Sequence, residues 1–395
     1  MDLTIGQFAD SYPPTMDGVV SVVRNYAAIL NERYCNCYVV APKTPGYENS
    51  ESFKLLTFKS VKIPKRKPYR AGMPTLDLKY RTHVKDLSFD LVHAHSPFGS
   101  GLEAMRCARY YRIPLVATFH SKYYDDFKQA LNSERLAKIA LKYVTWFFNK
   151  VDYVWTVSES TAEVLYSYGY EGKQVTVIDN GVDALKPPNA DQLAQEAVER
   201  FNYRGAFRML FVGQLIWQKN IRMIVEALTL LKKSHPHFKM AFVGKGYAED
   251  ELKALCHERG LDEYVMFTGP VYDRPLLYGL YLAADLFVFP SVYDNSPLVV
   301  REAAAMETPS LLVKGSTAAQ NVVDGENGFL CEESAESLCD RMRRVMDDVS
   351  VLPRVAKGAF NTLPKTWDEI VAQVYDHYLG ILDEFHFSNK PQSKP

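Results

Sequence analysis

The sequence predicts an α/β protein built from two doubly wound, Rossmann-like domains that face each other across a central cleft. Three observations carry this expectation. Short apolar runs alternate with helix-length segments through the first 180 residues. The same alternation restarts after residue 205. Between the two lies a polar, proline-containing stretch, 186–204, which reads as a connector. Strand–helix alternation of this kind builds a parallel sheet with helices on both faces.

The elements follow in order. Residues 3–8 read as a strand and 19–31 as a helix. Strands follow at 37–41, 91–94, 115–119 and 153–157, with a helix at 101–111. Ser158 or Ser160 caps the next helix, and 175–178 closes the first half. In the second half, strands fall at 208–212, 239–243, 265–268, 286–289 and 310–312. Helices fall at 221–233 and 249–259. The boundary lies near 183–205, and the tail 389–395 reads as disordered. Doubly wound sheets bind ligands beyond the carboxyl ends of their strands, so site residues are expected just after strands in both halves.

Composition excludes several classes. The chain has 395 residues and is 47% hydrophobic, enough for more than one core. Its formal net charge is −1. The basic excess sits in the first half, about +4 over residues 1–183 against about −5 over the rest. A near-neutral chain lacks the concentrated basic patch that nucleic-acid binding needs. The six cysteines form no C-x-x-C pair and read as reduced thiols of a cytoplasmic protein. The N-terminus shows no signal-peptide pattern, and no apolar run is long enough to span a bilayer.

Four segments could carry chemistry. In 289–310, a strand leads into a helix over 297–306, with Asn295 and Ser296 as caps and Pro297 at the first helical position. Its N-terminus offers backbone N–H groups and a positive dipole end to an anion, including those of Ser296 and Leu298. Asp294 precedes it, and Glu302 lies one and a half turns in. The alternative is an ordinary capped helix with a solvated Glu302. In 211–228, Gly213 permits a tight turn after a strand, and Lys219 stands at a helix start. A cation there opposes the dipole, a conflict that an anionic ligand would relieve; the alternative is a solvated surface lysine. In 10–23, Gly18 opens a helix and allows close backbone approach. In 116–127, His120 follows a strand. His95 and Ser96 follow another, and with Tyr123 they are candidates to line an acceptor, whereas His93 belongs inside its strand.

These residues together resemble glycosyltransferase family four, the retaining enzymes of the two-domain GT-B fold. The family's acidic residue, seven intervening residues and a glutamate appear here as Asp294 and Glu302. They are followed by Ala303-Ala304-Ala305 and Thr308-Pro309. The resemblance implies that Glu302 binds ribose hydroxyls. Asp294 would contact the transferred sugar, helped by backbone N–H groups after Asn295. Lys219 would bind the donor diphosphate, with Gln214 where the family carries an arginine. Gly18 would lie against the diphosphate, His120 against the sugar, and Val271 near the base. His120, Asp294 and Lys219 are the expected catalytic set. The resemblance also implies a division of labour: residues 1–183 bind the acceptor and 205–365 the nucleotide-sugar donor, with a final helix in 366–385 crossing back.

The Pro14-x-x-x-Gly18-Val19 pattern resembles bacterial members that glycosylate diacylglycerol. The implied reaction is hexose transfer, glucose favoured, from a nucleoside-diphosphate sugar such as UDP-glucose. The acceptor is a hydroxyl of a membrane lipid or, alternatively, of a soluble or exopolysaccharide carbohydrate. No cofactor or metal is expected. A nucleotide-sugar 2-epimerase and a non-catalytic degenerate partner are the rival readings. The five basic residues of 62–70 and the amphipathic stretch 138–150 suit an anionic membrane surface, which would make the protein peripheral on the cytoplasmic face. The latter stretch equally suits packing on the first sheet.

Overall fold

The computed structural model describes residues 3–13, 15, 17–63, 69–172, 174–204 and 207–388. It divides into two compact units, one formed by Met1–Asn180 with Trp367–Pro395 and the other by Gly181–Thr366.

The first unit runs β1 (Thr4–Phe8), α1 (Gly18–Arg33), β2 (Asn36–Pro42), β3 (Lys54–Phe58), β4 (Ser60–Lys62), β5 (Arg70–Gly72), α2 (Leu78–Asp86), β6 (Leu91–Ala94), α3 (Gly99–Tyr111), β7 (Leu115–Phe119), α4 (Tyr123–Leu131), α5 (Glu134–Phe148), β8 (Tyr153–Thr156), α6 (Glu159–Ser167) and β9 (Thr176–Val177). Its sheet has the order β3-β2-β1-β6-β7-β8-β9, all pairs parallel. A small antiparallel β4–β5 ribbon stands apart from it. The central strands β1, β6 and β7 are buried on both faces, which is why they read as mainly apolar runs. The terminal helix, Trp367–Ser388, belongs to this unit. It packs on α1, with Tyr375 stacked on Tyr34 at 4.7 Å and Arg33 hydrogen bonded to Asp368. Its Tyr378 ring stacks on Trp155 of β8 at 5.3 Å.

The second unit runs α7 (Ala190–Phe201), β10 (Phe207–Val212), α8 (Ile221–Leu231), β11 (Phe238–Val243), α9 (Glu249–Glu258), β12 (Val265–Gly269), α10 (Arg274–Ala283), β13 (Leu286–Phe289), α11 (Leu298–Ala305), β14 (Ser310–Val313), β15 (Phe329–Cys331), α12 (Ala335–Asp347) and α13 (Leu352–Thr362). The parallel order β12-β11-β10-β13-β14-β15 is the doubly wound arrangement. In both units the order reverses beside the first strand, between β1 and β6 and between β10 and β13. Reversal opens a crevice at the strands' carboxyl ends. Helix α8 shows how the sequence commits to this layer: Ile221, Ile224, Val225, Leu228 and Leu231 recur at helical spacing and are fully buried.

One stretch departs from its reading. The polar connector 186–204 holds α7, which packs on α10. Its buried positions are the small residues Ala190 and Ala197, so its apolar stripe is weak in sequence. Gly279 of α10 admits it: a Cβ there would stand 2.2 Å from the Leu193 carbonyl oxygen. The tail 389–395 lies outside the described residues, as do Lys65, Arg66 and Lys67 of the basic loop and Pro14.

Candidate active site

The second unit brings Gly213, Lys219, Asp294 and Glu302 to the reversal beside β10, whereas Val271 follows the edge strand β12. Chain leaves β10 through Gly213 and a single 3-10 turn, Trp217–Lys219, before α8. Asn220 ends that turn at φ 55, a left-handed conformation that asparagine tolerates. Its side-chain amide donates to the Pro290 carbonyl at 3.1 Å and to Glu333 at 2.8 Å. This tether fixes the Lys219 loop to the end of β13.

Lys219 is 8% exposed, and its ammonium lies 5.3 Å over the Phe289 ring. Its Nζ donates to both Asp294 oxygens, at 2.5 and 2.6 Å. The anion relieving the cation at the helix start is thus the protein's own Asp294. The Ser291 hydroxyl also donates to Asp294 Oδ2 at 2.6 Å. Thr317, in the turn after β14, donates to the Asp294 carbonyl.

Helix α11 begins one residue later than expected. Pro297 is its N-cap, Leu298 its first residue, and no side chain caps it. Asn295 and Ser296 are therefore not its caps. Proline has no N–H, and extended backbone at 297 (φ −68, ψ 120) suits the cap position rather than the first turn. Glu302, 9% exposed, turns inward from α11. Oε1 accepts from Arg274 at 2.8 Å and Oε2 from the buried Tyr281 hydroxyl at 3.0 Å. Arg274 also pairs with Asp183 at 2.9 Å. Burial, with the Glu302 carboxylate adding, pushes the Tyr281 phenol well up and keeps it a donor. A carboxylate has about four lone-pair sites, so Glu302 retains capacity for further donors.

Gly213 sits among stacked loops. Its N–H donates to Val243, and a Cβ on neighbouring Gly244 (φ 138) would stand 1.9 Å from the Gly213 carbonyl oxygen. Gln214 is exposed, and Val271 is half-buried after β12. Asn220, Arg274, Tyr281 and Ser291 were not singled out in the sequence. Asn220, Arg274 and Tyr281 act on partners 21 to 113 positions away, and Ser291 acts on Asp294 through a turn; neither pattern leaves a spacing signal.

The first unit holds a different cluster. Asp10, just past β1, accepts from Ser96 Oγ at 2.5 Å and from the Ser100 N–H of α3 at 2.9 Å. Burial pushes its carboxyl up, and these bonds partly counter that. Ser96 is thus tied to Asp10. His95 is 1% exposed; His120 is half-buried at the end of β7. Their rings stack, with His95 Nδ1 3.1 Å from His120 Nε2. His93 is buried within β6, as its position implied. Tyr123 lies in the core, its ring against Phe98, Phe119 and Phe127. Burial there favours packing over contact with an acceptor. At Gly18 a Cβ would meet nothing within 4 Å, so packing does not require the glycine. Asp17 caps α1 through the Val20 N–H at 2.9 Å.

Helix α5 has two faces. Val144, Phe147 and Phe148 are buried, whereas Ile139 is 64% and Trp146 44% exposed beside exposed Lys138 and Lys142. No described helix is long and apolar enough to cross a membrane.

Two doubly wound units, with a lysine and two carboxylates at the second unit's reversal point, define a sugar transferase of the GT-B class that takes its sugar from a nucleotide. The chain belongs to glycosyltransferase family four and is a hexosyltransferase: residues 16–184 match Glycosyltransferase Family 4 and residues 177–361 match Glycosyl transferases group 1. It is 28% identical over 293 residues to glycogen synthase of Mycobacterium tuberculosis, covering 72% of this chain and 68% of that one. It is 24% identical over 409 residues to alpha-monoglucosyldiacylglycerol synthase of Acholeplasma laidlawii, covering 99% and 100%. Among solved structures, sucrose-phosphate synthase from Thermosynechococcus elongatus superposes with a TM-score of 0.81 at 19% identity, over 97% of this chain and 100% of that one. Anabaena HepE in complex with UDP-glucose gives 0.75 at 17%, over 96% and 99%.

Proposed function

We propose that the chain transfers glucose from UDP-glucose to a hydroxyl of a membrane lipid such as diacylglycerol, with retention of anomeric configuration. The observation that carries the donor half is the contact of Lys219 with both oxygens of Asp294, on the same loop-helix unit as the inward-facing Glu302. A diphosphate replaces Asp294 as the partner of Lys219, and the released carboxylate accepts from a sugar hydroxyl. Gln214 and the N–H groups of Leu298 and its neighbours add donors to the phosphates. Glu302, oriented by Arg274 and Tyr281, accepts from the ribose hydroxyls, with Val271 beside the base. Gly18 is assigned to the diphosphate and His120 to the sugar. The full-length similarity to a glucosyldiacylglycerol synthase supports the lipid acceptor, as does the exposed basic and aromatic face of α5.

In the reaction, the bond from C1 to the β-phosphate oxygen breaks and a bond from C1 to the acceptor oxygen forms on the same face. The acceptor proton passes to the departing β-phosphate. Charge developing on the leaving group is met by the preorganised Lys219 and the α11 N–H groups. The test supplies labelled UDP-glucose to the purified chain with diacylglycerol in anionic vesicles, with a soluble glucoside, or with neither. Label in the lipid supports the proposal. Label only in the glucoside refutes the lipid acceptor, and conversion of the donor's sugar without acceptor refutes transfer.

A further inference from the structure

The loops that carry Lys219 and Asp294 are fastened by contacts other than the ion pair between them. On the lysine side, Asn220 ties the turn to Pro290 and to Glu333. The Lys219 stem lies against Gly213, where a Cβ would stand 3.6 Å from the lysine Cδ. On the aspartate side, Thr317 donates to the Asp294 carbonyl, and the Asp294 N–H donates to Ser291 Oγ at 3.4 Å. The loops therefore keep their places without the pair. The two charged side chains are only 10% and 20% exposed. Desolvation offsets much of the attraction in such a pair, so stability alone is a weak reason for its presence.

The chemistry of the two nucleotides supplies a stronger reason. In a nucleotide sugar the terminal phosphate is esterified to the sugar. In the nucleotide left after transfer it is free, and carries about one more negative charge near neutral pH. A lone lysine at a helix start would hold that product more tightly than the donor. Asp294 reverses the order. With the sugar present, its hydroxyls donate to the carboxylate and Lys219 turns to the diphosphate. With the sugar gone, the carboxylate keeps only the Ser291 hydroxyl, 2.6 Å from Oδ2. It then stands beside a more highly charged phosphate, and two anions compete for one ammonium, an unfavourable juxtaposition of like charges.

We propose that Asp294 is the specificity-determining residue that makes the donor site favour a nucleotide sugar over the sugar-free nucleotide. Once the sugar has left, Asp294 takes Lys219 back through both carboxylate oxygens, at 2.5 and 2.6 Å, and UDP is weakened and released. This role rests on the reading of Lys219 as the partner of the diphosphate and of Asp294 as a sugar contact.

The test titrates UDP and UDP-glucose calorimetrically into the full-length chain and its Asp294→Asn and Lys219→Gln variants, with circular dichroism as the check on folding. In Asp294→Asn, UDP is expected to bind at least about tenfold more tightly than in the wild type. UDP-glucose is expected to stay within about twofold, because its sugar loses the carboxylate that its diphosphate no longer has to displace. Lys219→Gln is expected to weaken both nucleotides by about tenfold or more. If Asp294→Asn does not fold, Asp294→Ser keeps both backbone contacts and carries the same expectations. Unchanged or weaker UDP binding in the folded aspartate variant, or equal tightening of both nucleotides, overturns the proposal. If Lys219→Gln weakens UDP while the aspartate variant leaves it unchanged, the diphosphate reading stands and the discrimination by Asp294 is refuted. If Lys219→Gln binds UDP as the wild type does, the diphosphate reading itself fails.

Discussion

The two units place polar groups at the same topological point and solve the burial problem in opposite ways. At the reversal beside β10, full charges neutralise one another: Lys219 with Asp294, and Arg274 with Glu302 and Asp183. At the reversal beside β1, next to an Asp10 carboxyl held by Ser96 and Ser100, runs a chain of three histidines, an amide and a phenol joined end to end. A charged pair can exchange one partner for a ligand's phosphate and remain neutralised. A neutral chain holds direction, because each proton position depends on the next. Under the proposed function, charge stabilisation falls to the second unit and orientation to the first.

The largest expected effect tests the charged side. Lys219→Ala should lower kcat/KM for transfer by about a thousandfold, the scale of losing a preorganised donor at a developing negative charge. Circular dichroism should be unchanged, because Asp294 keeps Ser291 and lies partly open to solvent. On the neutral side, His120→Ala should cost less. A hydrogen bond to an uncharged hydroxyl is worth about tenfold in rate, read from initial velocities at saturating UDP-glucose.

How much of this the sequence disclosed follows the same division. Lys219, Asp294 and Glu302 stand at short, fixed offsets from a strand end and a helix start, so they were legible. Their orienting partners Arg274 and Tyr281 were not, because which residue lies opposite is decided by sheet order; Ser291 reaches Asp294 through a turn that has no spacing signature. The neutral chain was almost invisible. His120 was identified by its place after β7. Gln7 and Tyr378 stand 371 positions apart and meet only because the terminal helix packs on the first sheet. Tyr123 and His95 are candidates to line an acceptor from the sequence, and the aromatic cluster and stacked rings bury them. Helix α7 was taken for a connector because its contact stripe is alanine-rich and fits against a glycine.

Acid should separate the units next. Burial lowers the histidines, His120 from 6.5 to about 3, so below about pH 6.5 the unfolded chain binds protons that the folded chain does not. The histidines' contribution is fully present above that pH and is lost as pH falls toward about 3. Amide hydrogen exchange should accelerate in β1, β6 and β7 before β10 and β13. Simultaneous loss in both units would count against the neutral chain as the acid-sensitive element.

The smallest effect concerns Gly18. Alanine there meets no atom within 4 Å, and alanine stabilises a helix relative to glycine by about 0.5–1 kcal/mol. The melting temperature should stay level or rise slightly, while KM for UDP-glucose rises because the methyl group occupies the space assigned to the diphosphate. An unchanged KM would remove Gly18 from the donor site.

The division of labour itself is tested most directly by calorimetric titration of UDP, which carries no sugar, into the wild-type chain, Glu302→Gln and His120→Ala. The account predicts that Glu302→Gln weakens UDP by at least about tenfold, the scale of a lost charge-assisted hydrogen bond, and that His120→Ala binds UDP as the wild type does. Equal UDP affinity in wild type and Glu302→Gln, or a loss confined to His120→Ala, would contradict it.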